Sequence, residues 1–174
     1  MYKEAPKVAY VASRKRDLKN YVGSRIIAWG TKGLEPELEP CSHLCIILKK
    51  TLVIESTMTD GVRIIPYSHW IKENEVVHAF DKPYEGRLSQ YIPELMDKIW
   101  GKKYDCLGIV YFSWRVALWR FLRRPLPKVN KWDNPDKRFC VEIFGNKLSM
   151  TSPIQMVANW DKNETVTRIK YWQD

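Results

Sequence analysis

The sequence predicts an α+β fold, in which an antiparallel sheet packs against helices. Three short β-rich runs follow one another at 42–48, 51–57 and 62–66, and turn residues separate them. These runs form a β-meander. Two segments with the apolar spacing of helices, 17–29 and 89–100, lie on either side of it in the chain.

Turn residues and alternating apolar positions define the strands. Lys49 and Lys50 join the first two runs of the meander, and Asp60-Gly61 forms the turn before the third. Alternation of apolar and polar residues at 7–13 predicts an additional strand at an edge of the sheet. Two more strands are predicted downstream, at 75–80 and 165–172.

Capping residues and helix breakers bound the predicted helices. Gly30 closes the first helix, and the stretch at 33–40, rich in glutamate and proline, predicts a loop. A short helix is predicted from Cys140, and a later one begins with Ser152 as its cap and Pro153 at its first position. The helix at 89–100 places three apolar residues on one side: Leu95, Ile99 and Trp100.

The 174 residues are predicted to form a single domain, covering residues 1–174, that buries a core without disulfide bonds. Aromatic residues make up 13% of the chain, which argues against intrinsic disorder. The N-terminal stretch mixes charges with only a short apolar run, unlike a secretory signal, so a cytoplasmic location is expected. The four cysteines are accordingly expected to be free thiols.

An apolar segment at 107–122 raises the question of a membrane. It is shorter than the roughly 20 residues that cross a bilayer, and Arg115 and Arg120 interrupt it. A buried amphipathic helix with an arginine-bearing edge is therefore expected. A helix that lies on a membrane surface is the alternative, because basic helices with Trp and Phe bind at interfaces.

Positive charge is concentrated in one part of the chain. The net charge is +9, and residues 101–140 contain ten basic and three acidic residues. A basic aromatic insert at about 107–138 carries most of this charge, and Pro125, Pro127 and Pro135 mark a long loop within it. Such a patch attracts phosphates, anionic lipid or an acidic substrate, or it is simply a solvated face.

Two cysteines bracket a histidine in Cys41-Ser42-His43-Leu44-Cys45, which indicates either a metal site or a catalytic histidine. In a strand, these alternate side chains point to one face, but each is about 6.8 Å from the next. A tetrahedral zinc ion needs ligand atoms about 3.5 to 4 Å apart, so the three side chains do not converge on one ion. Because no Cys-x-x-Cys motif or histidine pair is present elsewhere in the chain, no metal or cofactor is predicted.

His43 is a candidate general base. The turn at 49–50 places it roughly opposite Glu55 or Ser56 on the next strand, within reach of a carboxylate that could orient the imidazole. A shift of the register by one residue would turn Glu55 to the other face, so this contact is a hypothesis. A histidine with a purely structural role is the alternative.

Cys140 is the candidate nucleophile. It follows a Pro-Asp loop and opens an apolar turn, and a thiol at a helix start is activated by the macrodipole and by unpaired amide groups. A neighbouring histidine would complete the thiolate–imidazolium pair that cysteine enzymes use. Cys106, at the head of the apolar helix, is the rival nucleophile. Cys41 and Cys45 are expected to be bystanders.

Five short motifs follow one another between residues 20 and 160. They are Ser42-His43-x-x-Ile46, then Val53-Ile54-Glu55 with Gly61-Val62 and Pro66 behind it, then Gly101-Lys102-Lys103-Tyr104-Asp105, then Phe139-Cys140-x-Glu142, and finally Ser152-Pro153. As an ordered set they resemble the circularly permuted branch of the NlpC-like papain-fold superfamily, the YiiX-like proteins. The resemblance implies a papain-like fold in which the histidine and its polar partner precede the cysteine.

The resemblance also implies a catalytic triad. Cys140 would be the nucleophile, His43 the general base and acid, and Glu55 the residue that orients the imidazole. Tyr104 matches a tyrosine near the family's pocket and would help to bind the substrate. The chain departs from the family in two places, because Val141 replaces a serine that commonly follows the nucleophile and the basic aromatic insert has no family role.

The implied reaction is acyl transfer in two steps through an acyl-enzyme. The protein is expected to be a cysteine hydrolase, of the peptidase or amidase kind, or an acyltransferase that acts on an amide, ester or thioester. Its basic segment at 102–138 favours an anionic peptide or lipid-ester substrate, and also makes nucleic acid or a membrane surface a candidate partner. The alternative is a catalytically inactive protein on the same fold that binds nucleic acid, anionic lipid or an acidic protein.

Overall fold

The computed structural model describes residues 6–16, 22–128, 130–132, 137, 140–144, 150–170 and 172. The elements in chain order are β1 (Val8–Lys15), α1 (Val22–Lys32), β2 (His43–Leu48), β3 (Leu52–Thr57), β4 (Gly61–Pro66), α2 (Tyr67–Glu73), β5 (Asn74–Asp81), α3 (Leu88–Ile99), α4 (Cys106–Leu122), a 3₁₀ turn (Glu142–Phe144), α5 (Pro153–Asp161) and β6 (Thr167–Arg168).

Within this part of the chain, the strands form one antiparallel sheet in the order β4-β3-β2-β1-β5-β6. The predicted α+β class and the β2–β3–β4 meander are therefore confirmed. Lys49 and Lys50 connect β2 to β3 with φ angles of 47° and 53°. They lie in a tight turn in which the amide of Thr51 donates to the carbonyl of Leu48. Because Leu48 pairs with Leu52, the connection has three residues, and this register puts Glu55 opposite Cys45.

β1 lies in the middle of the sheet, so the prediction of an edge strand is wrong. It pairs with β2 on one side and with β5 on the other. Helices α3 and α5 pack on one face of the sheet, and α2 packs on the opposite face. Because both faces are covered, consecutive residues such as Val8 and Ala9 are fully buried, and the alternation typical of an edge strand is absent.

Three other boundaries differ from the prediction. α1 continues through Gly30 to Lys32, because that glycine faces Val116 of α4 and the packing extends the helix; the predicted start of this helix at 17–21 lies outside the described residues. Trp100 follows α3 in an extended conformation and is 64% exposed, so its predicted place on the buried side is wrong. The last strand, predicted at 165–172, is shorter in the structure and comprises only β6, Thr167–Arg168.

α4 is apolar on two sides, so the prediction of a buried amphipathic helix is only half right. Tyr111, Phe112 and Val116 are buried. The outer side is also apolar and at least half exposed, at Leu107, Val110, Trp114, Phe121 and Leu122. No helix in the described part of the chain has the length and apolarity needed to cross a membrane.

The turn between β3 and β4 holds the segment that leads into α4. The amide of Val62 donates to the carbonyl of Lys102 over 3.2 Å. Gly61 has a φ of +66°, and a Cβ at this position would lie 2.6 Å from the same carbonyl oxygen. Glycine is thus required both by the left-handed backbone and by the close approach of two backbones.

Replacing Gly61 with alanine is expected to lower the free energy of unfolding by about 2 kcal/mol or more, because conformational strain and a backbone clash add. Urea denaturation measures the loss. Gly101→Ala is the matched control, since Gly101 has a φ of +72° but nothing within 4 Å of an added Cβ. Equal losses in the two variants would show that the contact with Lys102 is unimportant.

Candidate active site

His43 and Glu55 form a contact at the start of the meander. His43 is the first residue of β2, its side chain is 20% exposed, and its Nε2 lies 2.9 Å from Oε2 of Glu55. In the register of β2 and β3, Glu55 is directly opposite Cys45, so its contact with His43 runs diagonally across one face. The predicted side-chain contact is present, although the two residues are not directly opposite each other.

The carboxylate of Glu55 is buried and fully hydrogen-bonded. Its Oε1 accepts from Nε and Nη2 of Arg63, at 2.9 Å and 2.6 Å. Its Oε2 accepts from Nε1 of Trp70 at 3.0 Å as well as from His43. A carboxylate only accepts hydrogen bonds, so the proton of His43 lies on Nε2 at this contact. Burial opposes the charge of Glu55, but His43 and Arg63 outweigh it and lower the pKa of Glu55 to about 2.

Sequence reasoning missed the two residues that hold Glu55 in place. Arg63 lies directly opposite Glu55 in the register of β3 and β4, because Thr57 pairs with Gly61 and the turn consists of residues 58–60, not of the predicted Asp60-Gly61. Trp70 comes from α2, and its indole nitrogen reaches Glu55 only because that helix packs over the sheet. No local pattern in the sequence indicates this contact.

Cys140 completes the cluster. It is 4% exposed, and its thiol is hydrogen-bonded to the side chain of His43. Because Nε2 of that ring is bound to Glu55, Nδ1 is the nitrogen left to face the sulfur. Burial disfavours the charged imidazole, but the hydrogen bonds to Cys140 and Glu55 outweigh burial and raise the pKa of His43 to about 10. The ring is therefore charged at neutral pH.

The backbone around Cys140 differs from the predicted helix start. A 3₁₀ turn, Glu142–Phe144, begins two residues after Cys140. Phe139 and residues 145–149 lie outside the described residues. A three-residue turn has only a small dipole, so the predicted activation by a helix macrodipole is wrong for this turn. The thiol of Cys140 is instead hydrogen-bonded to the imidazole of His43, which Glu55 holds in turn.

Tyr104 lies beside the thiol. Lys103 forms an isolated parallel β-bridge with Lys137. Because Lys137 is three residues before Cys140, this bridge holds the segment that contains Cys140 near Tyr104. Tyr104 packs against the apolar cluster that contains Cys140. Burial, and then the negative charge of Cys140, raise the pKa of Tyr104, which stays a neutral phenol. Its role in binding a substrate stays a prediction.

The other cysteines have different surroundings. Cys41 and Cys45 are fully buried, and burial raises the pKa of both thiols, as does the charge of Cys140. Cys106 is exposed at the first residue of α4, and the imidazole of His43 contacts Cys140 instead. Among the residues that the structure describes, no three or more His, Cys, Asp or Glu side chains are grouped to hold a metal ion.

Comparison of the chain with protein-family models, with curated proteins and with solved structures found no match. The candidate site consists of a buried thiol, a charged imidazole and a buried carboxylate, which hydrogen bonds connect in that order.

Proposed function

We propose that this protein is a thiol-dependent hydrolase or acyltransferase that acts on an amide, ester or thioester. The observation that carries the proposal is the position of His43, which is hydrogen-bonded to Cys140 on one side and to the buried carboxylate of Glu55 on the other. A nucleophile, a base beside it and a third group that orients the base are the parts that covalent acyl transfer requires.

In the proposed mechanism, the sulfur of Cys140 attacks the carbonyl carbon of the substrate. The imidazolium of His43 gives its Nδ1 proton to the leaving amine, alcohol or thiol, and an acyl-enzyme remains on the sulfur. The neutral imidazole then takes a proton from water or another acceptor, whose oxygen, nitrogen or sulfur attacks the acyl group. The thiolate leaves and the starting charge state returns.

Glu55 positions the imidazole throughout this cycle. Because the pKa of Glu55 is lowered to about 2, the carboxylate keeps its charge while His43 gains and loses a proton. The two hydrogen bonds from Arg63 hold the carboxylate in one orientation. The indole of Trp70 supplies a further donor to the oxygen that contacts His43. The ring is thereby kept in the tautomer that presents Nδ1 to the thiol.

We further propose that the fold is a circularly permuted papain-like fold of the NlpC type. The antiparallel sheet with helices on both faces supports this assignment, as does the chain order of histidine, glutamate and cysteine. Val141, which stands where the family commonly has serine, is fully buried, so a hydroxyl at this position is replaced by core packing.

Replacing Cys140 with alanine is expected to abolish turnover of an activated substrate and to leave the fold intact, because only the sulfur that forms the acyl bond is removed. The loss should be at least on the order of a thousandfold. Nitrophenyl esters, acyl thioesters and peptide anilides are suitable probes, and intact-protein mass spectrometry reports the acyl-enzyme. Cys106→Ala is the matched control and should keep full activity. Turnover that survives Cys140→Ala would refute the proposal.

A further inference from the structure

The outer face of α4 is a continuous exposed apolar stripe. Leu107, Val110, Trp114 and Phe121 are between 51% and 69% exposed. Their separations of three, four and seven residues place them on one side of the helix, along about 21 Å of its length. The opposite side is occupied by the buried core contacts of the same helix. A surface helix normally presents charged residues on its outer side, so this face lacks its expected polar cover.

Basic residues surround this stripe. Residues 106–132 contain six basic residues and no acidic one. Four of these lie exposed after the end of α4, and no ion pair with another residue neutralises them in the part of the chain that the structure describes: Arg123, Arg124, Lys128 and Lys131. The protein surface next to the apolar stripe therefore carries a net positive charge.

The remaining two arginines lie against exposed tryptophans. The guanidinium of Arg120 lies 4.2 Å from the ring centre of Trp29 in α1, and that of Arg115 lies 5.8 Å from the ring centre of Trp114. An open groove between α1 and α4 is lined by Trp29 and Arg120 together with Phe112, Val116 and Phe121. Tryptophan beside arginine is the combination found at the headgroup level of membranes.

We propose that α4, with the exposed basic residues Arg123, Arg124, Lys128 and Lys131 that follow it, forms a docking surface for an anionic phospholipid bilayer. The apolar stripe enters the boundary between headgroups and acyl chains, and the basic residues contact lipid phosphates. Charge complementarity favours this occupant. A second copy of the chain would instead bring two sets of unneutralised basic residues face to face. The helix lies on the membrane and does not cross it.

The proposed docking surface begins next to the candidate active site. Tyr104, two residues before α4, and Ile109, within its first turns, both pack against the cluster that contains Cys140. A docked protein therefore holds its thiol close to the lipid headgroups. Attack of Cys140 on a lipid ester would rest on the function proposed above, whereas docking does not.

The test is co-flotation of the full chain with vesicles of phosphatidylcholine, with and without phosphatidylglycerol. We expect binding to the anionic vesicles, weakened by added salt. Trp114→Ser combined with Phe121→Ser should reduce the partition coefficient on the order of tenfold or more, and Arg123→Glu with Arg124→Glu should do the same. Matched controls are Trp100→Ser with Met58→Ser, and Lys72→Glu with Lys98→Glu, all at exposed positions away from α4.

The outcomes separate docking from catalysis. Cys140→Ala and His43→Ala should float as the unmodified protein does, whether or not either residue is catalytic. No flotation with anionic vesicles would overturn the proposal, as would equal losses in the α4 variants and in the matched controls. A dimer in solution that Trp114→Ser converts to monomer, without vesicle binding, would identify the face as a protein interface and would also overturn it.

Discussion

Replacing His43 with alanine is expected to slow the reaction of Cys140 with iodoacetamide on the order of a hundredfold at neutral pH. The imidazole of His43 is hydrogen-bonded to Cys140, and a charged imidazole beside a sulfur is what the proposed mechanism needs to activate it. Because the pKa of His43 is raised to about 10, the difference between the two proteins should persist at all lower pH values at which both stay folded. Mass spectrometry of the digested protein gives a separate labelling rate for each cysteine.

His78→Ala is the matched control for this experiment. His78 is also a strand histidine and is buried, but its Nε2 contacts the carbonyl of Glu39 at 2.8 Å and its Nδ1 contacts Arg168. Its loss should leave the rate at Cys140 unchanged. Cys106 serves as an exposed internal reference thiol in every sample. An unchanged rate at Cys140 in His43→Ala would contradict the imidazolium–thiolate pair.

Replacing Glu55 with glutamine is expected to lower the free energy of unfolding by about 3 kcal/mol. Glutamine keeps the shape, but its amide group faces one of the donors that now point at a carboxylate, and the charges of Arg63 and His43 lose their buried partner. Urea denaturation at a pH between 4.5 and 6.5, the ordinary pKa values of Glu55 and His43, measures the loss where both groups contribute fully.

The pH dependence of stability should change in the same variant. The pKa of Glu55 is lowered from 4.5 to about 2, so its contribution of about 3 kcal/mol is present above pH 4.5 and is lost as the pH falls towards 2. The pKa of His43 is raised from 6.5 to about 10, so its contribution is complete below pH 6.5 and is lost as the pH rises towards 10. Glu55→Gln should remove the acid limb and weaken the alkaline limb, whose remaining part arises from the hydrogen bond between His43 and Cys140.

Glu75→Gln is the matched control for Glu55→Gln. Glu75 also receives two hydrogen bonds from an arginine, Arg14, at 2.9 Å and 3.2 Å, but its side chain is 43% exposed. Water screens this pair, so its removal should cost at most about 1 kcal/mol. A loss in Glu55→Gln that does not exceed the loss in Glu75→Gln would show that burial adds nothing to the cluster.

The sequence by itself determined the elements that depend on neighbouring residues. The β2–β3–β4 meander follows from short apolar runs separated by turn residues, which specify the strands and their order locally. The predicted cap at Ser152 is present as a reciprocal pair with Gln155, and Pro153 follows it at the start of α5. The contact between His43 and Glu55 belongs to this group only as a hypothesis, because the register that turns both side chains to one face depends on Thr51 as a third connecting residue.

Only the tertiary structure decided how these elements meet. β1 is central because β2 and β5 pair with its two edges, and Trp70 reaches Glu55 because α2 packs there. Cys140 reaches His43 from a distant part of the chain, through a loop whose end pairs with Lys103. Such contacts depend on the summed burial of many side chains that no local window contains. The same burial selected which apolar side of α4 enters the core, and so left the other side exposed.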